Sequence, residues 1–500
     1  MRPLRFLLLI FLPLCLLFAC SAAYAQSSVL PVLRLTVDPG GFLQVLESRD
    51  HTFRAEGGSL SILVPDDYRG EYGPAESMES LPLAYIRGRG NSTWLNRKKP
   101  FRFRLQSGAD LLGMGSNKHW VLLAEAIDGS MLRNRLMSYA GRKFGLAYTP
   151  KMVPLELYVN GEYLGCYVLS QQVRKGKTRV AIGEEGFLLS MSPYEDEPGE
   201  NVLNTSRGVR FLCEDPVFFS SDPSDDVAVP ARREEIAAFL QRTEDAVYSE
   251  ETETSGIPCA EYMDLHSAAK YWWIEEFFMN GDAAFTPSTY LYVTEGRLYW
   301  GPLWDFDLSI PSSASPEGLN NVRMPWFDHL RAYSPSFRKI LAEEWALLRP
   351  ILLDAARDGG IIDLWAEEIR PAWERNRAAG FADESLEQDD LSAQAERIKD
   401  WFRRRIDWID SHLDSALAET RVEIYFFADG QYLSTVRLPL PSGRLTRSDF
   451  PDAPLKDGFA FSGWRTETGV LLREGDQPET DVVATPSYVP AEYPFSHRSV

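Results

Sequence analysis

"YIRGRGNSTWLNRKKPFRFRL", residues 85–105, holds Arg87, Arg89, Arg97, Lys98, Lys99, Arg102 and Arg104 and no acidic residue. The chain around it is acidic: 52 Lys and Arg against 72 Asp and Glu leave a formal charge of −20. Gly88 and Gly90 permit backbone conformations that gather amide N–H groups around an anion. Asn91, Ser92 and Thr93 add side-chain donors. "KPFRFRL" then alternates apolar and basic residues, the pattern of a strand with one buried face and one wetted basic face. A lysine at the start of such a strand, Lys98 or Lys99, can reach over the loop to a nucleotide phosphate. The competing reading of the same residues is a β-hairpin whose arginines pair with surface carboxylates.

Working outward, 500 residues with 44% hydrophobic and 12% aromatic content can bury the cores of two or three folded units. The acidic balance argues against a nucleic-acid binder, which would carry a basic face over much of its surface. The N-terminus "MRPLRFLLLIFLPLCLLFAC" sets two arginines ahead of an apolar run, and "AYAQ" offers a cleavage point after Ala25, so residues 1–25 read as a signal peptide. In a second reading Cys20 is lipidated and anchors the protein. Either way the expected location is extracytoplasmic, secreted or at the cell surface. No later segment of about 18 uninterrupted apolar residues predicts a membrane span. After such cleavage Cys166, Cys213 and Cys259 remain, a set with neither a disulfide framework nor zinc spacing. One bridge or three buried thiols are both compatible with it.

Residues of about 30–190 read as β-rich. In "YVNGEYLGCYVL", Asn160-Gly161 between two alternating runs predicts a type I′ hairpin with strands around 154–159 and 163–169. "DGSMLRNRLMSYAGRKFG" predicts a helix with Asp128 as N-cap and Gly145 as stop. From about 190 to 418 the chain reads as helical. "EYMDLHSAAKYWWIEEFFMNG" has helical spacing, and a last amphipathic helix carries Ile398, Trp401, Phe402 and Ile406 on one side. Residues 420–490 form a separate β pattern.

A second constellation follows the first of those helices: "MNGDAAFTPSTYLYVTEGRLYWGPLWDFDLS". A hairpin about Glu295-Gly296, with paired numbers summing to about 592, sets Ser288 opposite Trp304 and folds Asp305 and Asp307 back toward Asp282. Strand alternation then places Asp305 and Asp307 on one face. Carboxylates gathered this way call for a Mg²⁺ or Mn²⁺ ion, which prefers all-oxygen ligation. The solvated strand end is the plainer alternative. A basic glycine-marked loop, a lysine-bearing strand, a helix-ending Asp, a hairpin and a metal Asp are the parts of a phosphoryl-transfer enzyme in kinase order.

"RGRGNSTW…KKPFRFRL", "HWVLLAEAIDGSMLRNRLMSYAGRKFG", "ELYVNGEYLGCYVLSQQV" and "WIEEFFMNGDAAF…YLYV…LYWGPLWDFD" resemble, in order, four blocks of the spore coat protein H (CotH) kinase-like family. The resemblance implies an α+β, two-lobed atypical protein-kinase-like fold over about 30–418. It further implies ATP and Mg or Mn as cofactors and a secreted or surface protein as the Ser/Thr-bearing substrate. By motif, Asp282 takes the catalytic position, Asp305 the metal position with Asp307 and Ser288 beside it, and Lys98/Lys99 the phosphate position with Arg87, Asn91 and Ser92. Glu276, Asp128, Arg133 and Asn134 also fall at characteristic family positions. Gln171 and Ser288 depart from the family's usual Glu and Asn. The tail, with "GFAFSGW", resembles a Listeria–Bacteroides-type repeat, a small β-grasp-like module whose Phe459, Phe461 and Trp464 are expected in its core. The alternative function is a catalytically weak or inactive kinase-like scaffold or adhesin associated with the cell wall, for which aromatic surfaces such as Trp326 with Phe327 would matter. A metal-dependent phosphate-ester hydrolase is a third reading.

Overall fold

The computed structural model describes residues 29–490 except 50, 91, 192–201, 215–229, 250–256, 282–287, 312–313, 320–321, 323, 382–389, 419, 441 and 479. In chain order the elements begin with β1 (Val32–Thr36), α1 (Pro39–Glu47), β2 (Ala55–Glu56), β3 (Ser59–Leu63), β4 (Met78–Gly88), β5 (Phe101–Ala109) and β6 (Asn117–Leu123). Then come α2 (Arg133–Lys143), β7 (Met152–Val159), β8 (Glu162–Gln171), β9 (Phe187–Met191), β10 (Val202–Asn204), β11 (Arg210–Cys213) and α3 (Pro230–Val247). The second half holds α4 (Leu265–Phe278), β12 (Tyr290–Thr294), β13 (Arg297–Trp300), α5 (Pro325–Tyr333), α6 (Pro335–Ala356), α7 (Ile361–Ala378) and α8 (Leu391–Ala418). Four strands follow: β14 (Thr420–Ala428), β15 (Gln431–Leu440), β16 (Phe459–Thr466) and β17 (Val482–Pro490).

The α+β class expected from the sequence is what the chain adopts, but the N-terminal half is a closed barrel. Its strand order is β2-β4-β3-β1-β7-β8-β6-β5, and β4 also pairs with β5, which joins the ends. Closure satisfies the edge strands that an open sheet would expose. Alternation fills the barrel: Phe101, Phe103, Leu105, Trp120, Leu122, Tyr167 and Leu169 point inward, while Val121, Leu123, Cys166 and Val168 point out into the helical core. β6 and β8 are therefore buried on both faces. The Asn160-Gly161 turn is as expected, both residues having positive φ (52° and 86°) between β7 and β8.

A boundary at residue 190 cuts through a sheet. The second sheet runs β10-β11-β9-β12-β13, so strands from both halves pair, with Leu291 opposite Leu189. From Tyr271 to Phe278, α4 is buried on every side, and Asp264 caps its start by accepting the Ser267 N–H at 2.7 Å. α2 begins five residues later than Asp128 rather than next to it. Leu132 is its cap, and Asp128 reaches forward to accept the Arg133 N–H at 2.9 Å. Gly145, at φ +80°, ends the helix region as expected. Ile398, Trp401, Phe402 and Ile406 are buried along α8.

Trp326 and Phe327 are fully buried, so they belong to the core and offer no binding surface. The three described cysteines are free buried thiols. The last four strands form their own sheet, order β15-β14-β17-β16, with β14 and β17 parallel. Trp464 is in its core, but Phe459 and Phe461 are 43% and 45% exposed, against expectation; they lie farther along the same strand, toward the Pro490 end of β17. Among the described residues no helix is long and apolar enough to cross a membrane.

Candidate active site

A cleft of about 550 Å³ lies where the barrel meets the second sheet. The barrel contributes Arg87, Gly88, Arg89, Gly90, Ser92, Thr93 and Arg102, and the other side contributes Glu214, Ser288, Tyr290, Trp304, Asp305 and Asp307. The barrel side follows from the strand register. Arg87 on β4 is paired across to Arg102 on β5, and Phe101 and Phe103 hold that stretch of β5 in the barrel interior. Alternation therefore turns Arg102 outward, into the cleft.

Both glycines of the island are required by close approach. A Cβ on Gly88 would lie 2.5 Å from the Trp94 ring, and one on Gly90, at φ +83°, would lie 2.3 Å from the Thr93 hydroxyl. The chain after β4 thus folds tightly onto the turn Ser92–Leu95 and presents that turn's residues to the cleft.

None of Arg87, Arg89 and Arg102 makes an ion pair with a carboxylate among the described residues. The buried Nε atoms of Arg87 and Arg102 have no hydrogen-bond partner there. Arg89 lies 5.4 Å over the Trp304 ring. Burial, and then the neighbouring Arg87, push the Arg102 guanidinium down to about 10. Like charges this close, without counter-charge, are what an anion site looks like when built in advance.

The hairpin differs from expectation in one way that matters. Its register pairs Leu291 with Trp300 and Thr294 with Arg297, a sum of 591, and the ladder stops at Trp300. Asp305 and Asp307 therefore lie beyond the strand and share no strand face. They reach the cleft because Asp305 adopts φ +66°, a conformation that Asp tolerates better than most residues. Ser288 is not opposite Trp304; its hydroxyl donates to Asp305 Oδ2 at 3.3 Å.

The segment Asp305–Asp307 is held by α2. Asn134 accepts the Phe306 N–H at 2.8 Å through Oδ1 and donates through Nδ2 to both oxygens of Glu125, at 3.1 and 3.2 Å. Arg133 donates to the Asp307 carbonyl at 3.5 Å and pairs with buried Asp128 at 3.3 Å. Asp128, Arg133 and Asn134 thus position the acidic segment. Glu276 does not reach the cleft. It is buried against Arg405 at 3.0 Å and accepts the Val322 N–H at 2.9 Å, tying α4 to α8 and to the chain before α5.

The two lysines are placed elsewhere. Lys98 is buried, donates to the Cys166 carbonyl and lies 4.8 Å over the Tyr167 ring; burial pushes it down to about 8. Lys99 donates to the Trp94 carbonyl at 2.7 Å and lies over that ring, tying the end of the Ser92–Leu95 turn. Both precede β5, so neither takes part in the strand alternation, and neither lines the cleft. Gln171 spans two loops, its Oε1 accepting the Lys151 N–H at 2.9 Å and its Nε2 donating to Met114 O and Thr178 O. Asp282 and Asn91 lie outside the described residues.

Glu125 was not singled out from the sequence. It is buried beside the acidic segment, and burial first, then Asp128, push it up to about 8. Arg89, Arg102 and Glu214 were missed as well. Arg102 was legible in principle, as the basic position between two inward phenylalanines. Among the described residues no three His, Cys, Asp or Glu side chains gather to hold a metal unaided. A Mg²⁺-type ion needs only one or two carboxylates besides phosphate oxygens and water, and Asp305, Asp307 and Ser288 fit that demand.

The model of the family described as CotH kinase protein matches residues 86–409, which include every cleft residue named above. No curated protein matches the chain.

Proposed function

Since this chain belongs to the CotH kinase family, we propose that it is a protein kinase that transfers phosphate from ATP, with a divalent metal, to Ser or Thr of extracytoplasmic proteins. The single observation that carries this reading is the cleft's division of charge. Three arginines without an ion pair among the described residues line one side, and Glu214, Asp305 and Asp307 line the other. A two-lobed kinase arrangement fits this division, with the barrel and the helical body as the lobes.

Arg87, Arg89 and Arg102 would hold the phosphates by charge-assisted hydrogen bonds, in place of the single lysine more usual in kinases. Val121, Ile127 and Val173 give the cleft an apolar patch suited to a base. Asp305, with Asp307 and Ser288, would hold the metal, which supplies charge neutralisation at the β- and γ-phosphate oxygens. Asp282, by its position in the family motif, would accept the proton of the acceptor hydroxyl. That oxygen then bonds to the γ-phosphorus as the bond to the bridging oxygen breaks, and ADP leaves. The basic-then-apolar N-terminus supports an extracytoplasmic location.

Incubating the mature protein with γ-labelled ATP and Mn²⁺ or Mg²⁺ tests the proposal. Label on the protein itself or on an added Ser/Thr-rich acceptor, lost in Asp305→Asn, is the expected result. ATP binding without any transfer to either would leave the kinase-like scaffold as the better description.

A further inference from the structure

The segment that walls the cleft at Gln172 and Val173 walls a second basin, of about 430 Å³, at the preceding residue Gln171. Arg142, Lys151 and Arg179 line it, with Tyr148 and Thr178, and no acidic residue is among its lining. Arg142 is paired with Glu71 at 2.8 Å. The other two cations make no ion pair with a carboxylate among the described residues. Lys151 donates to the Gly113 carbonyl at 3.3 Å and lies 5.2 Å over the Tyr72 ring.

Arg179 is only 6% exposed. Its guanidinium stacks 4.6 Å over Trp120, whose side chain fills the barrel interior. Nη1 donates to the Thr178 carbonyl at 2.9 Å and to the Thr178 hydroxyl at 3.4 Å, while Nε and Nη2 are buried without a hydrogen-bond partner. Stacking satisfies the face of a guanidinium and leaves its N–H edge unmet. Asp110, exposed and outside the basin's lining, holds the Gly115 N–H at 2.7 Å; its charge favours the charged forms of Arg179 and Lys151 from a distance, without an ion pair to either. In a chain with 20 more carboxylates than cations, two cations without an ion pair around one basin are not a consequence of composition. Burying a charge without a partner is costly unless a ligand supplies one.

We propose that this basin is a second anion site, taking a dianionic phosphate or phosphate-monoester group on Arg179 and Lys151. Two positive charges match a dianion, and the fork of Arg179 matches phosphate oxygens. The basin exceeds the volume of the ion alone, so it admits an ester that carries the group. The site is independent of the cleft chemistry, and its occupancy requires no ATP.

Calorimetric titration of the full chain with inorganic phosphate, at ionic strength held constant with chloride, tests this. Parallel arms use O-phosphoserine and serine. Phosphate and O-phosphoserine should bind and serine should not; a tighter O-phosphoserine isotherm assigns an ester, a tighter phosphate isotherm the free ion. Arg179→Met keeps the stem on Trp120 and should weaken binding roughly tenfold or more. Lys151→Met, at a partly exposed position, should do likewise and serves if the first variant melts early. All titrations are run in an Arg87→Met, Arg102→Met background, which removes most of the cleft's own hold on phosphate. In that background, phosphate binding that survives both basin variants overturns the proposal, as does no binding beyond that of chloride.

Discussion

Arg87 and Arg102 stand directly opposite each other on β4 and β5, like charges as cross-strand neighbours, and neither has a carboxylate partner among the described residues. Folding places them there because the barrel register and the inward phenylalanines allow no other face. The free protein therefore carries a repulsion that a bound anion relieves.

Replacing Arg102 with Met removes that repulsion while keeping an unbranched stem. The unliganded protein should hold or gain stability, by roughly 0.2–1 kcal/mol, the scale of a cross-strand pair. ATP affinity should fall about tenfold or more. Thermal melts beside ATP titrations separate the two effects. A variant that binds ATP as tightly as wild type would remove Arg102 from the phosphate site.

Asp305→Asn changes charge and little else. Asn tolerates the φ of +66°, and its side-chain oxygen still accepts from Ser288. Stability should stay within about 0.5 kcal/mol. The Mn²⁺-dependent part of ATP binding should drop by about an order of magnitude or more, since a hard cation prefers an anionic oxygen. Titrations with and without Mn²⁺ read this directly, and equal metal dependence in both proteins would count against the assignment.

The Arg405–Glu276 pair acts on the body of the fold. Arg405 also donates to the carbonyls of Pro316, Gly318 and Glu276. Arg405→Met leaves those carbonyls without this donor and takes the buried guanidinium from Glu276. The expected cost is about 3–5 kcal/mol, measured by urea unfolding. A loss below about 1 kcal/mol would show that this joint does not brace α4 against α8.

Glu125 sets a pH dependence whose sign follows from its raised pKa. With a folded value of about 8 against 4.5 ordinarily, the native state holds a proton that the unfolded chain has released. That contribution is complete below the ordinary value and disappears as pH rises through about 8. Stability should therefore decline from pH 5 to 8, by at most about 1.4 kcal/mol per pH unit. Lys98, depressed to about 8 by burial, acts above this window. Glu125→Gln, which still accepts from Asn134, should flatten the decline. Urea midpoints across pH for both proteins decide it; parallel curves would place the titration elsewhere.

By itself the sequence determined the features whose information is local. The alternation of Phe101, Phe103 and Leu105 marks β5, Asn160-Gly161 marks the β7–β8 hairpin, and the spacing through 265–278 marks α4. Four blocks in order identified the family. Tertiary structure alone decided which cations meet the cleft. Lys98 and Lys99 precede β5, and packing against Cys166 and Trp94, far and near in sequence, draws their charges away. Arg102 gains its place from pairing with β4, and Asp305 gains its place from a backbone turn beyond the hairpin, held through Phe306 by Asn134, 172 residues away. Periodicity is a property of neighbouring residues. Barrel closure, the end of a ladder and the face a charge finally takes depend on contacts between distant ones, which no local pattern encodes.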